Sequence, residues 1–314
     1  MELHVPPATT GNRMIRLFAP TSVLLLAVLA AVRTHGEDAT NARKILLPSA
    51  TLDRPSLASV IIDGADLPKN WETHPLARAL LFATAHRDFV DEQVKDFSCV
   101  LAKRERINGR LRDYEYLRTN VRREQQNGDE TIPFAVYVEF LAPKKLVGRK
   151  VLYVEGRNDN KMLVRNGGAR FGHVIVNISP TSDAALRESR YPITELGLDN
   201  VVSRLIDQAK HDIIADPDAK NTEVVFYRDA EIDGRVCTQI RVTHPTEDHV
   251  FDFHQANIYV DDELHVPLRV ESYTWPKEAG EPALLMEEYT YMKLKLNVGL
   301  TDRDFSEDLV RDQP

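Results

Sequence analysis

Beyond Phe97 the chain alternates hydrophobic and polar positions, with one helical interruption. In FAVYVEFLA, residues 134–142, Phe134, Val136, Val138 and Phe140 fall on one side and Tyr137 and Glu139 on the other, the period-two pattern of a strand with one buried face. PKKLVGR then reverses the chain, KVLYVEG returns, RNDN reverses it again and KMLVRN follows, so two short turns in series predict a meander. The same alternation marks 97–105, 110–122, 173–178, 223–232, 235–243, 251–260, 267–274 and 284–297, about eleven strands in all. Asp233-Gly234 joins two of them and is a hairpin signal, because both residues tolerate the positive φ of a tight two-residue turn. In the last strand Met286, Met292, Leu294, Leu296 and Val298 share the apolar parity, against Tyr289, Tyr291, Lys293 and Lys295.

Two segments have a period near 3.6 instead. Between Pro75 and Phe97, Leu76, Leu80, Ala83, Phe89 and Val94 recur at helical spacing among charged residues. In 182–214, SDAALRESR predicts a short helix, and LDNVVSRLIDQAKHDII aligns Leu198, Val201, Val202, Leu205, Ile206 and Ala209 on one stripe, with Asp199 or Asn200 as the expected cap and Pro217 as the stop. The order helix, six strands, two helices, five strands predicts an α+β fold, one large antiparallel sheet with helices on one face.

Ahead of this domain, Arg13 and Arg16 precede an apolar run from Leu17 to Val32 and small residues follow, the layout of a secretory signal, with an uncleaved anchor as the alternative. Residues 1–36 are therefore read as a signal peptide or anchor, 37–72, with Pro48, Pro55 and Pro68, as a flexible linker, and 73–310 as a single domain. Export places the chain in the periplasm or envelope, with at most peripheral membrane contact after cleavage. Residues 1–36 carry a net +2 (Arg13, Arg16 and Arg33 against Glu2), so of the total charge of −8 the remainder holds −10. An acidic body argues against nucleic acid as a partner. At 43% hydrophobic and 28% charged residues, the chain can bury a core and stay in solution.

Signatures of catalysis are missing: there is no G-x-S-x-G, H-E-x-x-H, Walker A loop or C-x-x-C, so no catalytic residue, cofactor or metal is assigned. His244, His249 and His254 are five apart, which puts neighbours on opposite faces of a strand, and they read as solvated loop or strand-end histidines. Cys99 and Cys237, the only cysteines, are either joined in an oxidising compartment or left as thiols, both buried or one buried and one exposed. Two basic groups, Lys103, Arg104, Arg106, Arg110 and Arg112, then Lys144, Lys145, Arg149 and Lys150, read as charged hairpin tips or as a docking surface for an anionic partner.

IYVDDELHVPLRVESYTWP at 258–276, followed by LLMEEYTYMKLKLNVGLTDRDF, resembles the C-terminal strands of LolA-like envelope carriers, at Asp261, Pro267, Arg269, Asn297 and Phe305. FSCVLAKRERINGRL, PFAVYVEF, RYPITELGLDN and LKLNVGLTDRDF resemble the recurring segments of an exported bacterial family, domain of unknown function 1571, over most of 75–308. The resemblance implies a curved antiparallel sheet, an incomplete barrel with helices on its concave face, that encloses either an apolar cavity or a filled core. It implies non-enzymatic binding of a lipid, lipoprotein or other apolar ligand, with Phe134, Val136, Val138, Phe140, Met286, Met292, Leu294 and Leu296 as candidate lining. An envelope hydrolase or carbohydrate-active protein, and a structural or interaction module that engages another envelope protein, are the alternatives. The long helical segment at 182–214 departs from the carrier pattern.

Overall fold

A computed structural model describes residues 43–45, 67–168, 172–278 and 280–311. The signal-peptide reading of residues 1–36 lies outside them. The elements are β1 (Arg43–Ile45), α1 (Pro75–Gln93), β2 (Asp96–Ile107), β3 (Arg110–Leu111), β4 (Glu115–Arg122), β5 (Gln125–Asn127), β6 (Glu130–Ile132), β7 (Ala135–Ala142), β8 (Lys150–Val154), β9 (Met162–Arg165) and β10 (Ile175–Ile178). The short α2 (Asp183–Leu186) and long α3 (Leu198–Ala215) follow, then β11 (Glu223–Ile232), β12 (Arg235–Thr243), β13 (Gln255–Asp261), β14 (Pro267–Thr274), β15 (Leu284–Leu296) and α4 (Asp308–Arg311).

Thirteen of the strands form one antiparallel sheet in the order β1-β11-β12-β13-β14-β15-β2-β4-β7-β8-β9-β10, with β3 paired to β2, so the sheet ends at β1 and β10 and does not close. This is the expected α+β architecture. Strand β1 lies within the stretch read as a linker and pairs with β11 from Arg43↔Arg228 to Ile45↔Phe226. The chain finishes one side of the sheet at β10 and resumes at β11 on the other. The connection must therefore cross the sheet, and α2 and α3 make that crossing.

On the inner face, Leu76, Ala79 and Leu80 of α1 and Val202, Ile206, Ala209 and Ile213 of α3 pack on Phe226, Ile240, Val242 and Ile258. Helix α1 stops at Gln93, four residues before the period suggests, because Val94 is already extended (φ −102°) and Asp96 opens β2. At its start the His74 ring caps α1, Nδ1 accepting from the Leu76 N–H at 3.2 Å, while Nε2 lies 3.0 Å from the Asp216 carbonyl. Helix α3 is capped by Gly197 without a side-chain bond; Asn200 binds the Thr194 carbonyl and Asp199 pairs with Arg123.

Burial holds the imidazoles of His74 and His86 below their ordinary range. Protonating either ring is thus easier in the unfolded chain, and their contribution is full above about pH 6.5 and lost as the pH falls through the depressed folded values. The melting temperature is expected to drop between pH 7 and pH 5, and a double variant His74→Asn/His86→Gln should flatten that drop. An unchanged slope in the double variant would show that other groups control it.

The sequence-based face assignments need two corrections. Strand β7 has no solvent face over most of its length: Val136, Val138 and Phe140 point inward, while Ala135 and Tyr137 join Leu152, Val154, Leu163, Phe305 and Val310 in a cluster on the outer face. The C-terminal turn and α4 cover that side, which a strand-by-strand reading of alternation cannot register. In β15 the parity breaks. Met292 faces Val100 and Lys295 faces Ser98, so the strand carries one extra residue there, and Lys293 adopts φ +52° with its N–H 2.6 Å from Asp233 Oδ2. Tyr289 and Tyr291 before the bulge and Leu294 and Leu296 after it consequently share the inner face, and Met292 lies outside with Ala102 and Tyr116.

Candidate functional site

The segment 178–196 and α3 roof the inner face without filling it. Ser182 caps α2, its hydroxyl accepting from the Ala185 N–H at 3.4 Å, and α2 leads into Tyr191-Pro192. Beneath this roof lies a cavity of about 280 Å³ bounded by Leu101, Leu117, Val138, Phe140, Val151 and Met162 on the sheet. A second cavity of about 360 Å³ lies between α1, α3 and the strands β12 to β15. Tyr191, Val201, Arg204 and Val270 line both, so the two adjoin at this point. Together they reach the size of ligand pockets, roughly 300–1,000 Å³.

Of the candidate lining residues, Val138 and Phe140 face the first cavity and Met286 the second. Met286 reaches it because β15 gains a residue against β14 between Glu287 and Leu285. Val136 belongs to the packed core, Phe134 packs beside Tyr153 at 6.2 Å between ring centroids, and Leu294 and Leu296 flank that core away from the cavity wall. Met292 is on the opposite face. The inner face thus contains both a filled core and open space.

Polar groups interrupt the apolar wall at defined points. Lys103 lies 3.1 Å from Glu105 and 3.4 Å from Glu115, and all three side chains are largely buried. Burial opposes the charge of Lys103, but the two carboxylates outweigh it and hold the ammonium above its ordinary range. Burial pushes the Glu115 carboxyl up despite Lys103. Tyr289 donates to Glu105, and Tyr191 donates to Glu287 at 3.0 Å while Arg190 pairs with the same carboxylate at 2.8 Å. Burial, followed by the Glu287 charge, pushes the Tyr191 phenol up to about 12. These groups are tied to one another, which places carboxylates next to apolar surface without leaving a free acid and base facing each other.

The inner-face position of Lys103, which it shares with Glu105, corrects the reading of Lys103 as part of a hairpin tip. Continuing the parity of Phe97, Cys99 and Leu101 would have placed both inside. The histidines also separate: His244 is fully buried, with Nε2 3.2 Å from Asp212 Oδ2 and Nδ1 3.0 Å from the Asn221 carbonyl, whereas His249 stands in solvent. Among the described residues no group of three or more His, Cys, Asp or Glu is placed to hold a metal. Cys99 and Cys237 are buried free thiols, and burial pushes Cys237 up to about 12. Val236 beside Cys237, not Cys237 itself, is the exposed position, at 55%.

Among described residues no helix is long and apolar enough to cross a membrane. Among curated proteins none matches the chain. Solved structures similar to it include a DUF1329 family protein from Desulfovibrio piger, 15% identical over 76% of this chain and 100% of that one with a TM-score of 0.34. A putative outer membrane lipoprotein-sorting protein domain from Vibrio parahaemolyticus is 12% identical over 74% of this chain and 98% of its own, with a TM-score of 0.34. A LolA superfamily protein from Nitrosomonas europaea is 14% identical over 74% and 98%, with a TM-score of 0.28. Residues 94–310 match the model of the family described as protein of unknown function (DUF1571), and the chain belongs to that family.

Proposed function

We propose that this protein binds the acyl chain of a lipid or lipoprotein in the adjoining inner-face cavities and carries or presents it within the cell envelope, without catalysing a reaction. The observation that carries this reading is the space itself. It lies under a roof of α2, α3 and the intervening segment, and Val138, Phe140, Met162, Val201 and Val270 are part of its apolar wall. Each CH₂ moved from water onto such a wall gains about 0.8 kcal/mol. Met162 and Met286 add surfaces that adapt to chains of different shape. The buried carboxylates are held by Lys103, Arg190 and tyrosine hydroxyls, which favours binding over acid–base chemistry.

Protein purified from its own envelope and sprayed under native conditions is expected to carry an adduct of acyl-lipid mass, released on denaturation. Val138→Trp, which projects an indole into the first cavity, should reduce that adduct several-fold while leaving the circular dichroism spectrum unchanged. Protein without an adduct, and with no uptake of added lipid, would sink the proposal.

A further inference from the structure

We infer that the bound amphiphile ends in an oxyanion and that Arg204 holds it where the two cavities meet; this rests on the acyl-binding reading above. Arg204 is partly buried on α3, lines both cavities, and stacks over Tyr191 with its guanidinium carbon 3.9 Å from the ring centroid. Stacking uses the face of the guanidinium and leaves its in-plane N–H donors for another group.

Most of the other charges around the space are committed. Lys103 sits between Glu105 and Glu115, Arg149 pairs with Glu188, Arg190 with Glu287, and Asp212 contacts His244. Glu195 also lines the first cavity, but no carboxylate lies within 4.0 Å of Arg204 among the described residues. On the second cavity Asp252 is exposed, and burial keeps His86 from charging readily. Arg204 is therefore a cation beside apolar space, with a planar donor edge that fits a carboxylate or phosphate in bidentate fashion. Tyr191, held by Glu287, fixes the plane of that edge. Acyl methylenes extending from the junction would reach Val138 and Phe140 on one side or Met286 on the other.

The test displaces the neutral fluorophore N-phenyl-1-naphthylamine from the full chain at pH 8.5 with palmitate, palmitoyl lysophosphatidate and methyl palmitate. Palmitate, lysophosphatidate or both are expected to compete at least about 10-fold better than the ester. The better of the two identifies the headgroup as carboxylate or phosphate. Arg204→Gln should erase the preference with fluorophore affinity unchanged, and Arg204→Lys should restore part of it, which a folding defect would not do. Equal competition by acid and ester in the wild type, or an equal loss for all three in Arg204→Gln, would overturn the role of Arg204 and leave apolar binding standing. Failure to bind the fluorophore and all three lipids would overturn both readings.

Discussion

Replacing Asp212 by alanine is expected to remove about 3 kcal/mol of stability and to lower the melting temperature by roughly 10 °C, because it deprives three side chains, the fully buried His244 among them, of a hydrogen-bond partner. Asp212 is 1% exposed on α3, and its two oxygens serve three side chains: Oδ2 meets His244 at 3.2 Å, while Oδ1 meets Gln208 at 2.9 Å and His211 at 3.2 Å. His244 in turn stacks on Phe251 at 3.9 Å between centroids and is itself fully buried. The pair ties α3 to the end of β12, so its loss loosens the roof over the second cavity as well as the fold. A double-mutant cycle with His244→Ala separates the terms: the two losses should fall well short of additive. Additive losses, or a change below about 1 kcal/mol for Asp212→Ala, would show that the contact contributes little.

Phe305→Ala should have an effect of similar size, about 3–5 kcal/mol, read from a urea unfolding curve. Phe305 is 1% exposed and fills the outer face of β7 to β9 with Ala135, Tyr137, Leu152 and Val310. Its ring also covers the guanidinium of Arg122, whose carbon lies 5.0 Å from the centroid and whose Nη1 pairs with Asp302 at 2.9 Å. Truncation leaves a cavity in a small cluster that has few other large side chains to collapse into it. Phe305→Leu, which keeps most of the volume, should cost less than half as much. Equal costs for the two variants would point to the cation contact instead of volume as the source.

Local signals carried the sequence reading far for the fold. β11 and β12 appear at 223–232 and 235–243 as alternation and Asp233-Gly234 demand, with positive φ at both turn residues (53° and 76°). α3 spans 198–215 on the stripe that begins at Leu198. What escaped depends on residues distant in the chain. The extra residue at Lys293 is fixed by pairing with β2 and by a bond to Asp233, neither visible within MKLKLNV, and it moved Met292 away from the candidate lining. Tyr137 looked solvent-facing because its cover arrives from 300–310. Arg204 flanks the apolar stripe of α3, where a charge ordinarily reaches solvent; only the position of Tyr191 and the empty space beside it give the side chain another environment. The paired carboxylates were invisible for a similar reason, since Glu105 and Glu115 meet through Lys103 only after β2 pairs with β4.

The position of β15 sets the order in which this protein can be assembled. The strand pairs with β14 on one side and β2 on the other, and its continuation is fixed where Asp96 accepts the N–H groups of Val298, Gly299 and Leu300 at 2.7, 3.2 and 3.1 Å. Until those residues exist, β2 has a bare edge, the two halves of the sheet are separate, and the outer face of β7 to β9 is open. A nascent chain therefore cannot mature piecemeal. Joining the two halves of the sheet depends on long-range pairing by the last strand, and folding is expected to be correspondingly slow. A chaperone that shields β2 during that interval would accelerate recovery of native protein, and loss of the final strand would send the chain toward aggregation.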